Sequence, residues 1–152
     1  MRDLTIRRAT IDDLEAVVPL FDAYRQFYRQ PPDLGRAREF LRERLSQRDT
    51  MVFVAALEHE AELAGFTQLF PTFTSVSTGR AWILNDLYVA PQFRRQKVAR
   101  ALLERAGEHA RQTGALYLEL ATEVSNGPAQ RLYQSLGWTL QSGFYHYQLR
   151  IR

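Results

Sequence analysis

The sequence predicts an α+β fold, α/β-like in its second half, built on a mixed sheet. Two strand-like runs, Met51 to Leu57 and Glu62 to Phe70, flank the turn Glu58-His59-Glu60-Ala61, the mark of an antiparallel hairpin. A strand–helix–strand succession from Arg80 to Leu120 calls for a parallel crossover. The length of 152 residues, 45% hydrophobic and 24% charged, fits a single domain over 1–152 with a sizeable core.

The elements follow in order. Leu4-Thr5-Ile6-Arg7-Arg8 alternates as a short half-buried strand does. Thr10 with Asp13 three residues on is a capping box, and Leu14, Val17, Val18, Phe21, Tyr24 and Tyr28 then recur at helical spacing. Gln30-Pro31-Pro32-Asp33 breaks that helix, and Phe40, Leu41 and Leu45 mark a second one. After the hairpin, Arg80 to Ala90 reads as a long strand stopped by Pro91. Val98 to Thr113 reads as a helix with Gly114 at its stop position, and Leu116 to Leu120 as a strand. Pro128 opens a last helix that runs to Leu136 before Gly137. Trp138 to Leu140 and Phe144 to Ile151 read as a closing antiparallel pair. The predicted order is βααβββαβαββ.

Composition removes several chemistries. Without cysteine there is no disulfide frame, thiolate nucleophile or cysteine metal site. His59, His109 and His146 stand too far apart for metal-ligand spacing, so no metal is expected. No apolar run approaches the roughly 18 residues of a membrane helix. The N-terminus lacks an apolar signal core, so a cytoplasmic protein is expected. The net charge is +3 and the isoelectric point about 9.5. The excess is local: Arg94, Arg95, Lys97 and Arg100 lie within seven residues that hold no acid, and the other 16 basic residues face 17 acidic ones. This points to a focused anion site and away from nucleic acid.

Two stretches carry the chemistry. In the first, Asn85-Asp86-Leu87-Tyr88-Val89 is followed by a basic turn and a helix start at Val98. Unpaired N–H groups and the positive end of the helix dipole there suit a phosphate or pyrophosphate. A solvated basic turn fits the composition equally well. In the second, Ser125 to Trp138, Asn126 and Tyr133 lie seven apart on one helix face, while Leu132 and Leu136 point to the core. Tyr133 taken alone also reads as a packed amphipathic residue.

Together the stretches resemble the GNAT superfamily of acyl-CoA-dependent N-acyltransferases. Leu87-Tyr88-Val89 followed by Arg94-Arg95-Gln96-Lys97-Val98-Ala99 is similar to the family's Leu-x-Val and Arg/Gln-x-x-Gly-x-Gly/Ala signature. Asn126, Ala129, Leu132, Tyr133, Gly137 and Trp138 match the second signature throughout. Lys97 departs from it, standing where the family has glycine. A side chain there costs roughly 1–2 kcal/mol if φ must be positive, and less if the loop keeps helix-like angles.

The resemblance implies a mixed, mostly antiparallel sheet of about six to seven strands with a central splay, flanked by about four helices. It implies acetyl-CoA as co-substrate, lying in a V-shaped opening between the strand ending at Val89 and that of Leu116 to Leu120. Leu87, Tyr88 and Val89 would then hold the pantetheine, and the Val89 N–H would polarise the thioester carbonyl. Arg94, Arg95, Gln96, Lys97, Val98, Ala99 and Arg100 would hold the pyrophosphate, with Asn126 and Ala129 meeting the pantetheine arm. It implies direct attack by an amine, with Tyr133 as general acid.

For the base, Asn85 stands where many members have Glu. Asp86 is the choice, although strand alternation turns it to the opposite face unless a bulge intervenes. Glu119 and Glu123 are further candidates. On the acceptor side Tyr24 and Tyr28, with Phe27 and Tyr145, offer an aromatic surface for an amine cation, or else a helix packing its stripe on the sheet. A small-molecule or peptide amine is the expected partner. Nucleic acid and membrane are not, and a homodimer is possible by analogy with the family. The competing expectation is a degenerate acyl-CoA sensor, motivated by Lys97 and Asn85.

Overall fold

The computed structural model describes residues 2–152. Met1, where the expected single domain begins, lies outside them. The chain divides into two compact units, one ending at Ala121 and the other Thr122–Arg152.

The first unit is built on a five-stranded sheet of order β1-β2-β3-β4-β5. Its strands are β1 (Leu4–Arg8), β2 (Met51–Leu57), β3 (Gly65–Thr74), β4 (Gly79–Val89) and β5 (Leu118–Glu119). β1 to β4 are antiparallel neighbours, and β5 pairs parallel to β4. The helices are α1 (Leu14–Phe27), α2 (Leu34–Gln47) and α3 (Val98–Gln112). The sheet is therefore mixed and mostly antiparallel, as expected.

Cross-strand register shows which helix covers which face. Phe66 stands opposite Val54 and meets Phe21 and Tyr24 of α1 at 6.1 and 5.9 Å between ring centroids. Phe53 and Trp82 point the other way and meet His109 of α3 at 5.5 and 4.9 Å. The two helices thus sandwich the sheet, and Phe53, Phe66, Leu69 and Leu102 are at most 1% exposed between them. Burying such side chains contributes roughly 1.5–3 kcal/mol each before conformational entropy is counted.

The capping box forms as expected. The Thr10 hydroxyl accepts from Asp12 N, and Asp13 Oδ2 accepts from Thr10 N at 2.8 Å. The proline break is tied down by a buried carboxylate. Asp22, 3% exposed, accepts from Arg25 Nη1 at 2.8 Å, Gln26 Nε2 at 3.2 Å and Asp33 N at 3.1 Å. Asp33 in turn caps α2 through Arg36 N at 3.0 Å. The wall made by α1 and α2 is therefore held by charge-assisted bonds as well as by packing.

The second unit holds α4 (Gly127–Ser135), with Pro128 in its first turn and Asn126 as N-cap. The closing strands do not form: among the described residues, 136–152 contain no strand. Leu140, Phe144, Tyr145, Tyr147, Leu149 and Ile151 are all at least 80% exposed. Alternation sets which side of a strand is apolar, but a strand also needs a partner edge to satisfy its backbone. The expected six to seven strands are thus five, and the four expected helices are present.

Candidate active site

β4 positions the site through one irregularity. Its register with β3 runs Gly65↔Val89 to Gln68↔Asp86, then resumes at Leu69↔Leu84, leaving Asn85 as an extra residue. Such a bulge reverses the alternation beyond it. Trp82 and Leu84 face α3, whereas Asp86 and Tyr88, opposite Gln68 and Phe66, face α1. The backbone is shifted in the same way. Trp82 N–H donates to Tyr117 O on the β5 side, and Ala90 N–H donates to Ala64 O on the β3 side. By alternation from Ala90, the Leu87 and Val89 groups face the β5 side.

Past Ile83, no strand among the described residues pairs with that side of β4. The β4–β5 ladder consists of Trp82↔Leu118 and Ile83↔Glu119 only, while β4 continues to Val89. The backbone groups of Leu87 and Val89 therefore line an open edge, of the kind an extended ligand can pair with. Arg94 folds over this edge. Its Nε donates to Val89 O at 3.1 Å, and its guanidinium lies 5.7 Å from the Tyr88 ring centroid.

Beyond β4, Pro91 opens a one-turn 3-10 helix that ends at Phe93, and α3 begins at Val98. Lys97 is its N-cap, with φ 63° and ψ 21°, and Arg95 has φ 62°. The lysine thus takes a left-handed conformation that favours glycine. No side chain caps this end, which leaves its first N–H groups pointing into the basic turn. Arg95 and Lys97 are exposed, while Gln96 and Ala99 are half-buried and Val98 is buried. Arg100 turns back along the helix to Glu104 at 3.1 Å, an acid one helical turn beyond the basic cluster.

Asp86 is 2% exposed. Gln68 Nε2 donates to its Oδ2 at 2.6 Å and Asn85 Nδ2 to its Oδ1 at 2.7 Å, and the neighbouring Tyr24 hydroxyl also favours its charged form. Burial pushes this carboxyl above its usual range and outweighs those bonds, which pull it down. The Tyr24 hydroxyl also donates to Asn85 O at 2.9 Å. The Tyr24 ring packs against Tyr28 and Tyr88, at 5.2 and 6.5 Å between ring centroids, and Phe27 lies 5.2 Å from the Tyr28 ring. The structure brings together Tyr24, Tyr28, Asp86 and Tyr88 as one aromatic and polar cluster beside the open edge. Gln68 was not foreseen. The signal for it was a polar pair, Thr67-Gln68, inside an otherwise apolar strand run.

In the second unit Asn126 Oδ1 accepts from Ala129 N at 3.2 Å, capping α4 and leaving its amide nitrogen as the donor it offers. The Tyr133 ring is half-buried, 6.1 Å from Trp138. Tyr145 is 90% exposed. Of the other acids considered, Glu119 is exposed at the end of β5 and Glu123 is half-buried ahead of α4. Among the described residues no cluster of three or more His, Asp or Glu could hold a metal, and no helix is long and apolar enough to cross a membrane.

The sequence profile of the acetyltransferase (GNAT) family matches residues 15–138. The chain belongs to this family. This GNAT chain is 44% identical over 148 residues to the uncharacterized N-acetyltransferase YhfO of Bacillus subtilis, covering 97% of the chain and 98% of that protein. A crystal structure of a probable acetyltransferase superposes with TM-score 0.91 at 40% identity, covering 97% of the GNAT chain and 98% of the other. An aminoglycoside N-acetyltransferase, AAC(6')-Iy, solved with CoA, shares the fold at TM-score 0.81 and 20% identity, with coverage of 99% and 97%.

Proposed function

We propose that the protein is an active N-acetyltransferase that moves the acetyl group of acetyl-CoA to a primary amine by direct attack. The observation that carries this is the open β4 edge, with the Val89 and Leu87 groups facing it and the uncapped α3 N-terminus directly beyond. The residues present fit the donor. Leu87, Tyr88 and Val89 offer a strand edge to pantetheine, and Asn126 and Ala129 offer the start of α4. Arg94 to Arg100, with Lys97 among them, offer N–H groups and positive charge to the pyrophosphate. Arg94 must release Val89 O for pantetheine to pair there.

The chemistry balances without an enzyme nucleophile. A deprotonated amine attacks the thioester carbonyl, and the Val89 N–H stabilises the oxyanion. Collapse breaks the C–S bond: Tyr133 gives its proton to the departing thiolate, and the proton that the amide nitrogen sheds restores the Tyr133 hydroxyl. Asp86 is the terminal proton acceptor, and Tyr24 and Tyr28 form the acceptor's wall. The acceptor is a small-molecule or peptide amine. In this reading the whole chain acts as one GNAT domain in the cytoplasm, and the exposed apolar segment after Leu140 supports a homodimer, testable by solution mass measurement.

A second reading, an acyl-CoA sensor without turnover, is favoured by Asn85 and by the strained Lys97. Mixing the protein with acetyl-CoA and lysine, spermidine, n-butylamine or a short peptide, and following thiol release, separates the two. Turnover supports the enzyme, CoA binding without turnover supports the sensor, and no CoA binding removes both.

A further inference from the structure

Resting on the acetyl-transfer reading, we infer that Tyr24 is a catalytic residue, relaying the acceptor ammonium's proton to Asp86. The geometry leaves the buried carboxylate no direct role. Asp86 is 2% exposed, and both its oxygens are held by amide donors at 2.6 and 2.7 Å. A carboxylate so enclosed cannot meet an amine that arrives from solvent. Tyr24 can, because it is half-buried and its hydroxyl donates to Asn85 O, next to Asp86, whose charged form it favours. Asn85 itself is exposed, so this hydroxyl stands at the boundary between the buried pair and the open side of β4.

The hydroxyl has two partners that suit two protonation states. With Asp86 ionised, Tyr24 donates to the carboxylate. With Asp86 protonated, the carboxyl donates to the Tyr24 oxygen, and Tyr24 donates to Asn85 O at 2.9 Å. The step is then a double shift. The ammonium N–H bond breaks and its proton goes to the Tyr24 oxygen, while the Tyr24 proton passes to Asp86. The products are a neutral amine, an intact tyrosine and a neutral Asp86, and the carboxyl later returns its proton to solvent through the same hydroxyl. The groups that meet Asp86 are Gln68 from β3, Asn85 from β4 and Tyr24 from α1, none of them charged. Burial favours the neutral carboxyl and so favours accepting a proton. Tyr28 and Tyr88, against the Tyr24 ring, present aromatic faces to the incoming cation.

The test uses the full-length protein with acetyl-CoA and whichever of lysine, spermidine and n-butylamine turns over fastest. Tyr24→Phe keeps the ring packing, and Asp86→Asn keeps the shape of the buried pair. Each is expected to lower kcat/KM about 100-fold, and the double variant to lose no more than either single one, because the two groups act as a unit. CoA binding is expected to be unchanged. The pH profile separates relay from scaffold. Wild type shows a plateau between the Asp86 and amine ionisations, whereas Tyr24→Phe rises tenfold per pH unit towards the amine pKa. An active wild type whose Tyr24→Phe variant keeps both rate and plateau overturns the relay alone. A wild type that binds acetyl-CoA but acetylates none of the amines overturns the acetyl-transfer reading and the relay with it.

Discussion

Gln68 and Asp86 face each other across the β3–β4 ladder, both side chains buried, with Gln68 Nε2 donating to Asp86 Oδ2 at 2.6 Å. The pair lies directly beside the irregularity at Asn85 and is enclosed by α1. An ionisable group in such a place affects stability as well as chemistry.

Burial raises the Asp86 carboxyl above its ordinary 3.8. The folded state therefore holds this proton more tightly than the unfolded state does. Stability contributed by the neutral acid is present below 3.8 and is lost as pH rises through the raised folded value. Asp86→Asn has no such loss. Its stability is expected to fall less than that of wild type as pH rises from about 3 towards neutral, read by urea unfolding, while activity is lost. A variant with the same pH dependence as wild type contradicts this.

Lys97 has φ 63° at the start of α3. Lys97→Gly removes the clash between Cβ and backbone and is expected to stabilise the protein by about 1 kcal/mol. Acetyl-CoA affinity, measured by calorimetry, should stay the same or tighten. A large loss of affinity would instead make the ammonium a phosphate ligand in its own right.

His109 is 8% exposed between Phe53 and Trp82, and its Nε2 has no hydrogen-bond partner. Burial, then the charges of Arg105 and Arg8, lower its pKa below 6.5. As pH falls through 6.5 the unfolded state takes up the proton first, so stability drops from there until the folded value is reached. The melting temperature should therefore fall between about pH 7.5 and pH 5.5, and His109→Phe should lessen that fall. Equal acid sensitivity in the variant would exonerate His109.

Tyr133→Phe keeps the ring near Trp138 and removes the hydroxyl. Turnover is expected to drop about 100-fold with CoA affinity intact. An unchanged rate would mean that the thiolate leaves without this acid.

Much of the first unit was legible in the sequence because local signals and tertiary needs agree there. Thr10 and Asp13 cap what they were expected to cap, the two prolines break the helix pair, and Pro91 ends β4. The closing strands were misread because Phe144 to Ile151 alternate well, and alternation is a property of one chain segment while pairing is a property of two. The bulge was legible only as a condition on Asp86. A single extra residue leaves no compositional trace, and its position is set by how β3 and β4 pack. Gln68 was hidden for a similar reason: its role depends on a cross-strand neighbour 18 residues away. The left-handed Lys97 was named as the costly alternative, and it is the one adopted.

The extra residue at Asn85 makes β4 a strand in which length matters more than spelling. Most side chains between Ile83 and Val89 can be exchanged for others of similar size without turning the backbone. Removing one residue between Asp86 and Val89 would rotate everything beyond it by half a turn. Without Leu87, for instance, Tyr88 would turn to face α3, and the amide of Val89 would swing from the open edge back towards β3. Relatives that share this chemistry are therefore expected to tolerate substitutions along the strand while preserving its residue count from the end of the β5 ladder to the basic turn.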